Sequence, residues 1–274
     1  VELKNHQPRW RSRKALSGAD VGRVVLLSLA ETLYALLDNG QIWCHVPGTP
    51  TWVLDAEMRP VRRDFGAAIL DGRIHIVGGM DDNGHPLADH DIYDPQSRVW
   101  QKGPPLRQPR SGVALAVVEG VMFAIGGLQT PLIPTTIRDW CLRLAPFRPL
   151  FRLLRTVRTV DAYQPDKQQW VLSWSMRQER ANAGVAVLDD RIHVVGGRVK
   201  PFLGAQYPSD VHEAYTPALG RWDRRMGLRF PLSELSLVAL DGFLYALGGM
   251  GWGGVTDQML RYATRTDTWH QAPC

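Results

Sequence analysis

The chain has 274 residues, 45% of them hydrophobic and 22% charged, with a formal net charge of +5. That apolar content can fill a large core, and no apolar run reaches the ~18 residues that cross a bilayer as a helix. Three scattered cysteines, Cys44, Cys141 and Cys274, form no CxxC pair and leave one over, which argues against a disulfide framework or zinc site and for a reducing compartment. The first residues lack a charged-then-apolar leader, so a cytoplasmic location is expected, and the start at Val1 leaves room for domains upstream.

In chain order, "LKNHQPRWRSRKAL" (Leu3 to Leu16) parallels "YDPQSRVWQKGPPL" (Tyr93 to Leu106), with Trp10 in the place of Trp100. The N-terminus therefore reads as the outer half of a repeat. A worn unit follows, "TLYALLDNGQIWCHVPGTPTW", which ends at Trp52 and carries Leu36-Leu37 where later units carry two glycines. Four fuller units come next, marked by "RIHIVGG", "VMFAIGG", "RIHVVGG" and "FLYALGG", whose glycine pairs begin at Gly78, Gly126, Gly196 and Gly248. Each pair is followed by a tyrosine and, seven positions on, a tryptophan: Tyr93 and Trp100, Tyr163 and Trp170, Tyr215 and Trp222, Tyr262 and Trp269. The distance from glycines to tyrosine varies, so that segment is a loop.

Each unit reads as four short strands. An apolar run such as "GAAIL" or "GVAVL" leads through a two-residue turn ("DG", "EG", "DD", "DG") into the strand that ends in Gly-Gly, and the Tyr and Trp strands follow. Asp-Gly between apolar runs is a strong signal for a type I′ hairpin, and four-stranded repeats stack as propeller blades. The predicted fold is all-β: a single propeller over residues 1–274, with five complete repeats, an N-terminal partial one, and five or six blades.

The register of Gly-Gly, Tyr and Trp resembles the kelch repeat, over nearly the whole chain. Sixteen positions before the glycine pairs stand Arg62, Arg110, Arg180 and Leu232, with Arg63, Arg107, Arg177 and Arg229 close by. In kelch proteins of the cullin-adaptor type, arginines and serines here hold acidic peptides. The resemblance thus implies an anion-binding rim of Arg62, Arg110, Ser111, Arg180 and Arg229, with Leu232 departing from the pattern. The competing reading is that these arginines brace neighbouring blades through backbone carbonyls.

The insertion after Gly127 is the largest irregularity. Between Gln129 and Arg158 it carries six arginines and one aspartate, a net +5 that equals the charge of the whole protein. Thr136 and Asp139 suggest a helix cap, and Pro146 and Pro149 divide the stretch into short helical pieces. Trp140, Arg143, Phe147, Arg148, Phe151 and Arg152 make it a candidate partner-binding arm that can also lie on an anionic membrane surface. No nucleic-acid motif accompanies it, so nucleic acid is not the expected partner. A second loop, "DDNGHPLADHD" (Asp81 to Asp91), is dense in carboxylates and imidazoles but matches no metal motif, and no metal or other cofactor is expected. His75 and His193 share one repeat position with Tyr34, Phe123 and Tyr245 and are read as packing residues.

Two functions follow. One is an adaptor or scaffold that recognises an acidic peptide or protein on the arginine rim. The other is an acid–base enzyme on an acidic sugar or small molecule in the central cavity, since the kelch family includes a sialic acid mutarotase; Glu179 and Glu234 are the candidate catalytic carboxylates. The family's copper-radical oxidases need a Tyr-His ligand set and a cross-linked cysteine that this chain does not place. Fold alone does not decide between the two readings.

Overall fold

The computed structural model describes residues 22–130, 154–201 and 205–272. These form five antiparallel four-stranded sheets: β1 to β4 (Val24–Leu29, Thr32–Leu37, Gln41–His45, Val53–Glu57), β5 to β8 (Gly66–Leu70, Arg73–Val77, His90–Asp94, Val99–Lys102), and a third of β9, β10, β13 and β14 (Ala114–Val118, Val121–Ile125, Val160–Gln164, Gln169–Leu172). The fourth comprises β15, β16, β19 and β20 (Gly184–Leu188, Arg191–Val195, His212–Thr216, Arg221–Arg225), and the fifth β21, β22, β25 and β26 (Ser236–Leu240, Phe243–Leu247, Met259–Ala263, Thr268–Gln271). The innermost strands β1, β5, β9, β15 and β21 lie side by side in that order. The sheets are therefore propeller blades.

Between the two inner strands of blades 2, 3 and 5 the turns are Asp71-Gly72, Glu119-Gly120 and Asp241-Gly242, and in blade 4 Asp189-Asp190, all with positive φ at both residues. This is the I′ geometry that brings right-twisted strands back on themselves. The segments after the Gly-Gly pairs of blades 3, 4 and 5 form two-stranded ribbons on one rim: β11 with β12 (Leu128–Gln129, Arg155–Thr156), β17 with β18 (Arg198–Val199, Tyr207–Pro208) and β23 with β24 (Met250–Gly251, Gly254–Val255).

In blade 1 the strand register moves the worn position by one residue. Val25 pairs with Leu36 as Ser236 pairs with Leu247, so Leu37 and Asp38, not Leu36 and Leu37, stand where the glycines would be. Asp38 opens a tight turn into β3, so no long loop leaves here. The tyrosine position is taken by His45, whose ring lies 5.3 Å from Trp52 and keeps the seven-residue interval. The partial repeat at the N-terminus and the helical pieces of the arm fall outside the described residues.

Four apolar clusters fill the space between successive blades, from Tyr34, Phe65 and Tyr93 between blades 1 and 2 to Leu237, Leu244 and Tyr262 between blades 4 and 5. The Tyr-Trp pairs stack at 4.8 to 5.2 Å. Trp170, Trp222 and Trp269 also donate their indole N–H to Pro104, Trp174 and Met226 of the preceding blade, at 3.0, 2.6 and 2.9 Å. Each tryptophan thus supplies buried area and one inter-blade hydrogen bond.

Two blades carry a buried histidine pair. His75 Nδ1 lies 2.8 Å from His90 Nε2, and His193 Nδ1 lies 2.9 Å from His212 Nε2. His90 and His212 also use Nδ1 toward the carbonyls of Pro104 and Met226, so their Nε2 atoms accept, and His75 and His193 donate. Burial holds all four below the usual imidazole range, to about 4 for His75 and His193 and about 3 for His90 and His212. Below pH ~6.5 the unfolded chain takes up protons that the folded blades refuse, so stability falls as pH drops from ~6.5 toward 4. Blade 3 carries Phe123 and Val160 at the same positions. The His75→Phe, His90→Val variant is expected to lose less stability between pH 7.5 and pH 5 than the natural chain, by urea unfolding; equal losses would show that the pair does not couple to acid unfolding.

Candidate functional site

The rim that carries the ribbons also carries the connections between blades, and one backbone clasp repeats along it. The second glycine of a pair donates its N–H to the residue sixteen before the next pair: Gly79 to Arg110 O, Gly127 to Arg180 O and Gly197 to Leu232 O, at 2.8 to 2.9 Å. That residue returns a bond, from Arg110 to Leu87 O, Arg180 to Val157 O and Leu232 to Ser209 O. The same carbonyls would lie 2.3 to 2.4 Å from a Cβ placed on Gly78, Gly126 or Gly196. With φ near +60° as well, only glycine fits there.

The guanidinium groups expected to face the opening are inside the blades. Arg62, Arg110 and Arg180 are each 1% exposed. Arg110 donates to Gly126 O and Thr159 O at 3.0 and 3.1 Å and pairs with Asp161. Arg180 repeats the pattern on Gly196 O, Val211 O and Glu213, and Arg62 on Ile76 O and Asp91, at 3.0 and 2.9 Å. Each arginine ties its own blade's second and third strands together beneath the rim; it uses backbone carbonyls, but within one blade rather than between neighbours. Asp91, Asp161 and Glu213 occupy one repeat position, two before the tyrosine; in blade 5 that position is Leu260, and the arginine position is Leu232. Ion pair and leucine pair exchange together. Ser111 is fully buried beside this clasp, bridged to Leu128 through the backbone.

Four residues line the mouth directly before the innermost strands. Asp64, Gly112, Asn182 and Glu234 share a left-handed backbone, φ +51° to +59°, and are chained by Gly112 N–H to Asp64 O, Asn182 N–H to Gly112 O and Glu234 N–H to Asn182 O. Arg23, the blade 1 equivalent, reaches Asn182 Oδ1 at 3.3 Å and lies 4.0 Å from the Asp64 carboxylate. Asp38 accepts the Arg23 N–H, and partial burial pushes its carboxyl above the usual range. Glu234 is ion-paired with Arg198 and its side chain is about one third exposed. Glu179 is half-buried beside Arg180. Arg229 is exposed, 5.7 Å over the Phe230 ring.

Sequence reasoning missed Arg23, Asp38, Asn182 and Arg198. The signal for the first and third lay fourteen positions before the glycine pairs, and before Leu37 in blade 1, in the column where four residues adopt the left-handed conformation. The acidic loop does not converge on one point: Asp81 and His85 pair on its exposed tip at 3.3 Å, whereas His90 and Asp91 are buried in β7. The arm residues Trp140, Arg143, Phe147, Arg148, Phe151 and Arg152 fall outside the described residues. Its base is described: β11 and β12 flank it as a ribbon, and Thr156 exchanges hydrogen bonds with Lys200 beside the next ribbon.

Blades of four strands joined by this clasp define a β-propeller. A family model described as "Kelch motif" matches residues 62–107. Among curated proteins, "Kelch repeat and BTB domain-containing protein 1" of Vaccinia virus (strain Copenhagen) is 26% identical over 237 residues, 85% of this chain and 37% of its own length. "Beta-scruin" of Limulus polyphemus is 24% identical over 205 residues, 73% of this chain and 20% of its own length. The chain thus carries a kelch motif on a propeller of four-stranded blades and is similar to kelch-repeat proteins, and it spans between a fifth and two fifths of the length of these relatives.

Removing one half of a buried ion pair strands the other, at a cost of about 3 to 5 kcal/mol, whereas an apolar pair of similar volume is often neutral. Arg110→Leu is therefore expected to destabilise strongly, and Arg110→Leu with Asp161→Leu, copying blade 5, to regain most of the loss in urea unfolding. Additive losses would mean that the two side chains do not act as a unit.

Proposed function

We propose that the propeller is a protein-binding module, as kelch propellers generally are, and that its partner is an acidic peptide or protein segment docked on the ribbon rim at blade 5. The observation that carries this reading is a corner of exposed apolar side chains: Phe230, Trp252 and Val255 are 53%, 73% and 81% exposed. Phe230 and Trp252 flank a close contact in which a Cβ on Gly251 would lie 3.1 Å from Pro231 O. Large apolar groups beside a cation are what an acidic segment with an aromatic or aliphatic anchor would need. Exposed Arg229 supplies the cation there, in place of the arginines now accounted for inside the blades. The BTB domain in the name of the viral relatives fits an adaptor architecture, which for this chain is part of the proposal.

Acidic peptides tested by fluorescence anisotropy should bind, and Trp252→Ser with Phe230→Ser should weaken binding by at least about tenfold, on the scale of a lost aromatic anchor, with Tm unchanged. Binding that survives both changes would remove blade 5 from the proposal. A second reading, acid–base chemistry on a small acidic ligand in the central opening, is favoured by one observation: the raised carboxyl of Asp38 beside Arg23 and Asp64. It requires turnover of an acidic sugar that Asp38→Asn abolishes, read by proton NMR of the anomers.

A further inference from the structure

A cavity of about 260 Å³ opens between blades 4 and 5, at the end of the propeller where the two inner strands turn back, away from the ribbon rim. Asp189, Arg191, His193, Arg225, Tyr262 and Arg265 line it. Among the described residues, none of the three arginines takes part in an ion pair. The Tyr262 hydroxyl donates to Asp267 and is spent, so the tyrosine offers the cavity a wall.

His193 is the decisive group. Its side chain is 2% exposed and its Nδ1–H is committed to His212, so Nε2 carries the lone pair, and that atom is buried with no partner among the described residues. A buried acceptor left unmatched inside a cationic cavity calls for a ligand that brings both a negative charge and a hydrogen-bond donor. The other blades show that neither charge nor lone pair is needed for the fold. Between blades 2 and 3, Gly103 and Asp166 stand in the places of Arg225 and Arg265, and between blades 3 and 4 Phe123 and Ser173 stand in those of His193 and Arg225.

We propose that this cavity is a site for a protonated phosphate group, either free inorganic phosphate or a phosphate monoester. Arg191, Arg225 and Arg265 clamp its oxygens in the planar, forked manner of guanidinium, and the phosphate's own O–H donates to His193 Nε2. Asp189 in the lining repels a fully ionised anion and so favours the singly protonated form. Sulfate has the same shape and no proton at neutral pH. A site built to pair with a ligand O–H rejects the analogue that lacks it.

The test titrates the whole protein with inorganic phosphate, sulfate and a phosphoserine amide, followed by backbone amide shifts in NMR spectra at pH 6.5. Phosphate or the phosphoserine amide should shift residues around Arg191, Arg225 and Arg265, and sulfate should bind at least about tenfold more weakly. Free phosphate binding as well as the amide would point to the ion, and stronger amide binding to a monoester. Arg225→Ser, at a half-buried position, and Arg265→Asp, at an exposed one, should each cost at least about tenfold in phosphate affinity. His193→Phe, the residue blade 3 already accommodates, should abolish the preference for phosphate over sulfate while leaving sulfate binding intact. No shift with either phosphate ligand, equal binding of phosphate and sulfate, or indifference to Arg225→Ser would each overturn the proposal.

Discussion

The hydrogen bond from the second glycine of one blade to the carbonyl sixteen positions before the next glycine pair is the constraint on which the propeller hangs. It fixes how closely one blade approaches the next, and the approach is so close that the preceding residue cannot carry a Cβ. Sheet edges left unpaired are a liability, and stacking blades face to face resolves it only if each face meets its neighbour at a fixed angle and depth. The clasp sets the depth at the mouth. The stacked Tyr-Trp pairs, with an indole N–H reaching across to the preceding blade, set it further out. Between these two points the apolar clusters need only fill the volume.

The arginine beneath the clasp does a related job inside the blade. In blades 3 and 4 one of its amino groups, Nη1, donates to two carbonyls where the second strand ends and the third begins, and the other, Nη2, meets the carboxylate. Burying a guanidinium is costly unless its charge is met, and Asp161, Glu213 and Asp91 meet it. Desolvation depresses all three arginines, and the facing carboxylates oppose that shift. Blade 5 carries apolar contact in that place instead, with Leu232 and Leu260 in one apolar cluster.

That exchange explains why the fold was legible and the site was not. Gly-Gly, Tyr and Trp recur because each meets a condition every blade imposes: positive φ, a close carbonyl, a stacked ring pair. A period announces such conditions. The arginine column looked like a ligand-binding rim because it was read alone; beside the column two before each tyrosine, it becomes Arg with Asp, Arg with Asp, Arg with Glu, and Leu with Leu. The carboxylate partner lies 29 to 51 positions away in sequence, across a loop of variable length, so spacing could not reveal it. The mouth itself was hidden for another reason. Asp64, Gly112, Asn182 and Glu234 have no common side chain, and what unites them is a left-handed backbone and a chain of N–H to O bonds.

In a repeat protein the blades serve as one another's controls. A residue type that every blade carries answers to packing, and a residue that one blade carries alone, at a cost the others avoid, answers to something outside the fold. Burying His193 with a nitrogen unmatched among the described residues, beside Arg225, is such a cost: blade 2 carries His75 at that position but Gly103 in the place of Arg225, and blade 3 carries phenylalanine. Holding Trp252 in water is another, because blade 5 exposes on its ribbon the kind of side chain that elsewhere closes the core. The two departures fall on opposite ends of the propeller, both in its C-terminal blades. One end therefore carries a broad apolar corner with a single cation and the other a narrow cationic cavity, and surfaces so different in chemistry can be occupied independently.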